Sequence, residues 1–338
     1  MIYPKCLTGR APQIAFDGQV YPCCWIQYKD KIRYESGKKE NIFKNPEFNI
    51  YRNNLADILA STDYVSMLRN LQNDTPEQCA KHCDKFQVDK TGRMNCNNSL
   101  KARIDPRNES KEDWQNTLSS NAEIYQKQII DLTTLDIVQL ETSSRCSLAC
   151  PACCRVRDKN QTHWYKDDLD LDVLMRSLEK QKIKVIRDCG RYGDPIFYKY
   201  YLDFIDSIKN LGLKKYSANI AATGKGLEYW KNLIDKFLVL KADGVEINIM
   251  FGIDGLKDTS KIYRVGQNFD EIFNAMIQCN DAGLNVSWQF IPNRYNEHQI
   301  DLVKEIAQKH NLKLEFALST RWHGEREHFK PINPQWYT

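Results

Sequence analysis

The chain has 338 residues, 48 Lys or Arg against 44 Asp or Glu, and a formal net charge of +4. The length fits two domains or one large barrel with an appendage, and the hydrophobic share of 42% is sufficient for a sizeable core. So mild a charge does not favour a nucleic-acid partner. No apolar run has the length of a membrane span or a signal peptide, so we expect a cytoplasmic protein without membrane contact.

The first 105 residues are rich in cysteine and contain one clear helical pattern. Residues 16–20 fit a hairpin turn between two short strands. Residues 50–71 have the apolar spacing of one helix or of a broken pair of helices. In a reducing compartment, clustered cysteines indicate metal ligation rather than disulfides. Six of the 12 cysteines lie in this part: Cys6, Cys23, Cys24, Cys79, Cys83 and Cys96.

A polar stretch and a connecting helix, residues 106–130, lead into a repeating pattern from residue 131 onward. Strands are predicted at residues 137–142, 183–188, 216–222, 245–253, 285–291 and 312–317. Helices are predicted between them at residues 170–181, 197–210, 226–238, 269–281 and 299–310. This alternation indicates an α/β protein with a parallel sheet, and six strands favour a partial (β/α)6 TIM-type barrel. A doubly wound open sheet is the alternative.

Three cysteines with the spacing C-x₃-C-x₂-C follow the first strand of this barrel: Cys146, Cys150 and Cys153. Three thiolates can hold a [4Fe–4S] cluster and leave one iron for a ligand that is not protein. A structural zinc site is instead closed by four protein ligands. Sites in parallel βα folds are built at the carboxyl ends of the strands. We therefore expect the cysteines to meet the segments that follow the next four strands: residues 190–195, 223–224, 254–255 and 292–293.

With these features, residues 132–317 resemble the radical S-adenosylmethionine superfamily. The resemblance implies that the free iron chelates the amino and carboxylate groups of S-adenosylmethionine. It also implies that the reduced cluster cleaves the sulfonium to a 5′-deoxyadenosyl radical, with the protein binding, orienting and sealing the site. A reductant such as flavodoxin or ferredoxin is the implied partner.

Further residues are similar to motifs of this superfamily. Gly193 and Asp194, followed by Pro195, look like the glycine-rich Glu-Pro motif that receives the methionine ammonium. Residues 251–255 resemble the Ser-Ile-Asp-Gly segment of the peptide-modifying subgroup, with Gly252 in place of the serine. Residues 262–266 resemble a Tyr-Arg-x-Gly segment, whose arginine would pair with the methionine carboxylate. Cofactor contacts are thereby predicted at six residues: Gly193, Asp194, Thr223, Asp254, Arg264 and Phe290.

Adenine packing is a separate question, because Ala152 stands where this superfamily often has an aromatic residue. Tyr192, Phe290 and Ile291 are the candidates for that contact. Among the remaining cysteines, Cys189 ends the second strand and is the catalytic candidate, as a hydrogen-atom donor or a substrate contact. A buried small-residue role is its alternative.

The first third of the chain resembles a SPASM module or its half-size version, twitch. Cys6, Gly18 and Cys23 have the spacing C-x₁₁-G-x₄-C, and Cys79 and Cys83 follow the helical pattern. The resemblance implies an auxiliary [4Fe–4S] cluster on Cys6, Cys23, Cys79 and Cys83, with Cys24 or Cys96 as substitutes. A zinc site on the same four cysteines is the alternative.

The predicted domains are accordingly an auxiliary-cluster module at residues 1–105, a linker at 106–130 and the barrel at 131–338. The function implied is that of a radical enzyme of oxidoreductase or maturase type. It would abstract hydrogen from a peptide or protein side chain and lead to oxidation or cross-linking. The alternatives are a small-molecule substrate, such as a nucleotide or sugar derivative, and a non-catalytic iron–sulfur or zinc protein.

Overall fold

One nine-stranded sheet organises the part of the chain that the computed structural model describes. The described residues are 11–23, 45–71, 103–104, 136–157, 167–190, 192–319 and 321–337. The strands are β1 (Gln13–Ile14), β2 (Val20–Tyr21), β3 (Arg103–Ile104), β4 (Ile137–Leu140), β5 (Val185–Asp188), β6 (Lys215–Ile220), β7 (Glu246–Gly252), β8 (Asn285–Phe290) and β9 (Lys313–Ala317). Their spatial order is β2-β1-β4-β5-β6-β7-β8-β9-β3.

The six strands β4 to β9 are parallel and adjacent in chain order, which confirms the predicted partial (β/α)6 barrel. The described helices are α1 (Leu55–Ala60), α2 (Thr62–Asn70), α3 (Cys154–Arg157), α4 (Leu171–Glu179), α5 (Tyr201–Ser207), α6 (Leu227–Ala242), α7 (Ser260–Tyr263), α8 (Phe269–Asp281) and α9 (Ile300–Lys309). None of these helices is both long enough and apolar enough to cross a membrane.

The central strands β6, β7 and β8 alternate buried apolar side chains with more exposed ones. In β7, Ile249 and Phe251 are buried, whereas Asn248 between the apolar positions is half-buried. Phe251 packs against Trp230 of α6, with ring centroids 6.2 Å apart. Because side chains alternate along a strand, the helix-free face of the sheet keeps amide and hydroxyl groups.

Side-chain caps explain where two of the helices begin. The Asp170 carboxylate accepts a hydrogen bond from Val173 N at the start of α4, and the Asn268 side chain accepts one from Glu271 N at the start of α8. α8 has the predicted bounds, residues 269–281. The predicted helix 50–71 is a broken pair, because Ser61 ends α1 and caps α2 through a hydrogen bond from Tyr64 N.

The N-terminal segment joins the sheet of the barrel, which the sequence did not predict. β1 and β2 form the expected hairpin, and β1 also pairs in parallel with β4, with Gln13 opposite Gln139. At the opposite edge, β3 pairs antiparallel with β9. Strands from both sides of residue 105 therefore belong to one sheet. The predicted domain division at this residue stays a prediction.

The N-terminal hairpin is held against the barrel through Gly18 and Tyr51. Gly18 has φ +80°, and a Cβ there would lie 2.5 Å from Tyr51 Cδ2 and 2.7 Å from Asn49 Oδ1. The Tyr51 hydroxyl accepts a hydrogen bond from Asp170 N at 2.9 Å. Tyr51 can therefore move aside only by giving up its contact with the start of α4.

We expect Gly18→Ala to destabilise the protein more than Gly244→Ala does. Gly244 has nearly the same φ, +84°, but nothing lies within 4 Å of its would-be Cβ. The left-handed backbone alone costs about 1 kcal/mol in either variant, and overlap with Tyr51 adds roughly 1–3 kcal/mol at Gly18. Urea unfolding of the two variants measures the difference, and equal losses would contradict the packing argument.

Candidate functional site

The cysteine loop, residues 146–153, lies directly beyond β4 and is fastened to the neighbouring strand ends. Three hydrogen bonds connect it and the residue before it to segments that follow three strands: Asp194 N to Arg145 O at 2.8 Å, Ser147 Oγ to Thr223 O at 2.7 Å, and Ala149 N to Val265 O at 2.9 Å. Asp194 follows β5, Thr223 follows β6, and Val265 lies beyond β7. For the segments after β5 and β6, the predicted convergence at the carboxyl ends of the strands is confirmed, whereas Val265 lies outside the predicted segment 254–255.

Two glycines let the backbone approach the loop closely. A Cβ at Gly193 would overlap the carbonyl oxygen of Ser143 and lie 2.8 Å from that of Arg145. Gly266 has φ +91°, and its would-be Cβ would lie 3.3 Å from Ser147 O. A side chain at either glycine would displace the segment that carries the cysteines.

The three thiols of the loop differ in environment. Cys146 and Cys153 are half-buried and Cys150 is buried. Burial raises the pKa of Cys146 to about 12, whereas a hydrogen bond with Cys154 lowers the pKa of Cys153 to about 5. Among the described residues, no three His, Cys, Asp or Glu side chains lie close enough together to hold a metal ion.

Two guanidinium groups flank the thiols. Arg155 donates from Nη2 to the carbonyl oxygen of Leu148 at 2.8 Å, and its charge helps to lower the pKa of Cys153. Burial raises the pKa of Cys150, and the charge of Arg264 acts in the opposite direction. Thiolates are the ligands of iron–sulfur clusters, and nearby cations favour the thiolate form. The donor set and its charge environment therefore fit an iron–sulfur cluster.

Arg264 is held by a buried ion pair with Asp254. Its Nε lies 2.6 Å from Asp254 Oδ2, and the Asp254 side chain is fully buried. The other oxygen, Oδ1, accepts a hydrogen bond from Ile291 N at 2.6 Å. Burial lowers the pKa of Arg264, but the Asp254 carboxylate outweighs it and raises the pKa above its ordinary value. Asp254 is thus occupied by protein groups, while Arg264 keeps its terminal nitrogens.

The same arginine explains the glycine at position 252. A Cβ on Gly252 would lie 2.8 Å from Arg264 Nη2 and 3.2 Å from the Cβ of Ala221. A serine at this place would collide with the guanidinium in the position it adopts here. The departure from the resembled motif is therefore coupled to the position of Arg264.

The Asp194 carboxylate is bonded to backbone amides. Its Oδ2 accepts from Ala221 N and Ala222 N, both at 2.8 Å, and its Oδ1 accepts from Ile196 N at 3.3 Å. Burial raises the pKa of Asp194, although these three hydrogen bonds act in the opposite direction. Asp194 joins the end of β6 to the segment after β5, so most of its acceptor capacity is used within the protein.

The structure places the other predicted residues as follows. The Thr223 hydroxyl accepts from Asn268 N at 3.0 Å. Phe290 is fully buried, with its ring 5.8 Å from that of Phe316. Cys189 is half-buried rather than buried, and its thiol lies 3.7 Å from Arg187 O. Their proposed cofactor and catalytic roles stay predictions.

Two buried cysteines pack within the protein. Cys154 packs with Phe16 of the N-terminal hairpin and with Tyr192. Cys279 lies on the buried face of α8, and burial raises its pKa to about 12. Of the predicted auxiliary ligands, Cys23 is buried just after β2. Cys6, Cys79 and Cys83, and the substitutes Cys24 and Cys96, lie outside the described residues.

An aromatic cluster beside the cysteine loop had no sequence signal. Ala152 packs with Tyr263, Trp322 and Phe329, and the Tyr263 and Trp322 rings are 5.6 Å apart. Trp322 comes from the C-terminal segment, where sequence analysis finds no motif. The space left by the small side chain of Ala152 is therefore bordered by rings that are distant in the chain.

Glu271 is a second residue that the sequence did not reveal. Its carboxylate accepts hydrogen bonds from Gly224 N at 2.9 Å, Lys225 N at 3.0 Å and Trp230 Nε1 at 3.0 Å. These contacts hold the segment after β6, whose Thr223 carbonyl receives the Ser147 hydroxyl. Burial raises the pKa of Glu271, but these hydrogen bonds outweigh it, and the pKa is lower than usual.

Comparison with known proteins identifies the N-terminal module. The SPASM family model, described as an iron–sulfur cluster-binding domain, matches residues 6–84. The matched residues include Cys6, Cys23, Cys79 and Cys83, and the predicted auxiliary iron–sulfur module is confirmed. No curated protein matches the chain.

Several solved structures are similar to parts of the chain. Native anSMEcpe with bound AdoMet has a TM-score of 0.40 and 16% identity, over 53% of this chain and 50% of that one. Streptococcus suis SuiB bound to S-adenosylmethionine has a TM-score of 0.43 and 13% identity, over 66% and 52%. SuiB bound to the precursor peptide SuiA has a TM-score of 0.41 and 14% identity, over 58% and 46%. The chain spans about half the length of these proteins.

We expect Gly193→Ala to release the metal of the cysteine loop. The added methyl group would overlap Ser143 O, and the loop would have to shift away from β5. Iron content of the anaerobically reconstituted protein should fall by about half if each of two sites holds one cluster. Gly212→Ala, where nothing lies within 4 Å of the would-be Cβ, is the control. An unchanged iron content in Gly193→Ala would contradict the conclusion that the loop packs closely against Gly193.

We expect Glu271→Gln to destabilise the protein by ~1 kcal/mol at pH 7, a value that allows for partial solvent screening. The folded-state pKa of Glu271 is lowered, so its stabilisation is present above its unfolded pKa and is lost as the pH falls through the folded value. The difference in the free energy of unfolding between wild type and variant should therefore become smaller below a pH of about 4.3. Urea midpoints from pH 7 downward test this, with the exposed Glu179→Gln as control. A stability difference that does not change with pH would exclude the Glu271 carboxylate as the cause of that difference.

Proposed function

We propose that this chain is a radical S-adenosylmethionine enzyme with its radical-generating cluster on Cys146, Cys150 and Cys153. The observation that carries the proposal is the cysteine loop itself, three thiols on a segment bonded to the ends of neighbouring parallel strands. A cluster held by three thiolates leaves one iron for a ligand from outside the protein. When bound, such a cluster supplies the electron that cleaves S-adenosylmethionine to a 5′-deoxyadenosyl radical.

The protein's own residues would bind and orient the ligand. Arg264 uses Nε for Asp254 and keeps its terminal N–H groups near Cys150, where they suit the methionine carboxylate. Asp194 is occupied by the amides of Ala221 and Ala222 just beyond β6, so the ammonium contact falls mainly to the backbone of the Gly193 segment. Trp322 and Tyr263 pack with Ala152 of the cysteine loop and are proposed, beside Phe290, as rings for the adenine.

The auxiliary cluster would serve electron transfer or substrate anchoring. The SPASM match supports an iron–sulfur cluster rather than zinc on Cys6, Cys23, Cys79 and Cys83. Zinc has no redox chemistry and could not accept an electron from a substrate radical. A low-potential reductant such as flavodoxin or ferredoxin completes the proposed electron path.

The proposed substrate is a peptide or protein side chain, which would be oxidised or cross-linked. Residues 253–255 retain the Ile-Asp-Gly of the peptide-modifying subgroup. The helix-free face of the sheet presents amide and hydroxyl groups, among them Asn219, Ser287 and Gln289. Such groups both donate and accept hydrogen bonds, as peptide groups require. Cys189 borders this face beside Asn219 and is the proposed hydrogen-atom donor or substrate contact.

We expect the anaerobically reconstituted protein to form 5′-deoxyadenosine from S-adenosylmethionine in the presence of dithionite. The variant with Cys146, Cys150 and Cys153 all changed to Ala should form none and keep roughly four of about eight iron atoms per chain, since one of two clusters remains. Chromatographic assay of 5′-deoxyadenosine and an iron count check both statements.

A wild-type protein that binds iron at this loop but forms no 5′-deoxyadenosine would sink the enzyme proposal and favour a non-catalytic iron–sulfur protein. Retention of both clusters in the triple variant would refute the ligand assignment. Cys279→Ala is the matched control, because Cys279 is buried in α8 away from the loop. Incubation with peptides and with nucleotide or sugar derivatives, followed by mass spectrometry, separates the two substrate classes.

A further inference from the structure

Arg155 is the second guanidinium at the cysteine loop, and the proposed function gives it no role. It lies in the short helix α3, two residues beyond Cys153. Two backbone hydrogen bonds turn the chain here: Cys153 N donates to Cys150 O at 2.9 Å, and Val156 N donates to Cys153 O at 3.1 Å. From this place its Nη2 reaches back to Leu148 O at 2.8 Å, across the loop.

The guanidinium therefore lies between two of the proposed ligands. Leu148, whose carbonyl it binds, also donates its own N–H to the Cys146 sulfur at 3.4 Å. On the other side, Arg155 lies only two residues beyond Cys153, on the turn that Val156 N and Cys153 O close. A cluster on these thiols would have this cation in its immediate surroundings.

Among the described residues, Arg264 has a carboxylate partner that neutralises its charge, whereas Arg155 has none. Arg264 forms a buried ion pair with Asp254, so its positive charge is largely neutralised. No carboxylate within the described ranges forms an ion pair with Arg155. An arginine side chain is not deprotonated in proteins, so the charge at this place is permanent.

We propose that Arg155 raises the reduction potential of the cluster on Cys146, Cys150 and Cys153. One-electron reduction adds a negative charge to the cluster, and a fixed cation nearby stabilises the reduced form more than the oxidised form. The electron comes from a low-potential one-electron donor, dithionite in the experiment below, and no bond to Arg155 forms or breaks. Arg155 is a positioning and tuning residue, and its assignment rests on the proposed function.

The test is a redox titration of the reconstituted full-length protein, followed by electron paramagnetic resonance. Only the signal that S-adenosylmethionine perturbs is followed, which separates this cluster from the auxiliary one. At the solution potential where the wild-type cluster is half reduced, Arg155→Gln should have an about tenfold lower ratio of reduced to oxidised cluster, equivalent to ~59 mV. Arg155→Lys keeps the charge and should stay within about threefold of wild type.

The matched control is Arg176→Gln, which removes the same charge from an exposed position on α4 and should leave the ratio unchanged. Loss of the cluster in Arg155→Gln but not in Arg155→Lys would also support the charge. An unchanged ratio in Arg155→Gln, an equal shift in both variants, or loss of iron from both would overturn the proposal in favour of a structural role through Leu148. A wild-type signal that S-adenosylmethionine does not perturb would contradict the proposed function instead. Arg155 is then judged from the signal that is absent when Cys146, Cys150 and Cys153 are all changed to Ala.

Discussion

The site depends on one constraint, which is that the cysteine loop must take its hydrogen bonds from strand ends outside itself. Residues 146–153 form no regular element before α3, so few of their backbone groups bond within the loop. The groups that follow β5, β6 and β7 bind the loop and the residue before it: Asp194 N donates to Arg145 O, Thr223 O accepts from the Ser147 hydroxyl, and Val265 O accepts from Ala149 N. Parallel strands bring these partners to one edge, and the loop has its shape only where that edge exists.

Three carboxylates, two of them buried, hold this edge together. Asp194 bonds the end of β6, Asp254 bonds Ile291 N and Arg264, and Glu271 bonds the amides after Thr223. Each accepts from backbone N–H groups that would otherwise be left unsatisfied at the end of a strand. The acids nearest the cysteines therefore act first on the protein's own backbone. For Asp194 and Asp254, the resemblance to a known motif and the observed contacts describe different roles of the same side chain.

The six long strands of the barrel were predictable because their apolar residues alternate and turn residues follow them. The same reasoning placed α8 within its observed bounds. It could not find β1 joined to β4, nor β3 at the far edge, because a two-residue strand has no periodicity to detect. Trp322 beside Ala152 and Glu271 beneath the segment after β6 are likewise contacts between distant parts of the chain. Their residue types alone are ordinary for a core aromatic and a surface acid.

The sequence by itself determined which thiols are the proposed ligands, since the spacing of Cys146, Cys150 and Cys153 and the six-strand pattern are local properties of the chain. The matched SPASM spacing of the N-terminal cysteines is local in the same sense. Only the tertiary structure decided which groups remain available to a ligand. Arg264 retains its terminal nitrogens, Asp254 retains nothing, and Arg155 turns its charge to the thiols. The reason is physical: hydrogen bonds and ion pairs are assigned by proximity in space, which spacing along the chain does not encode.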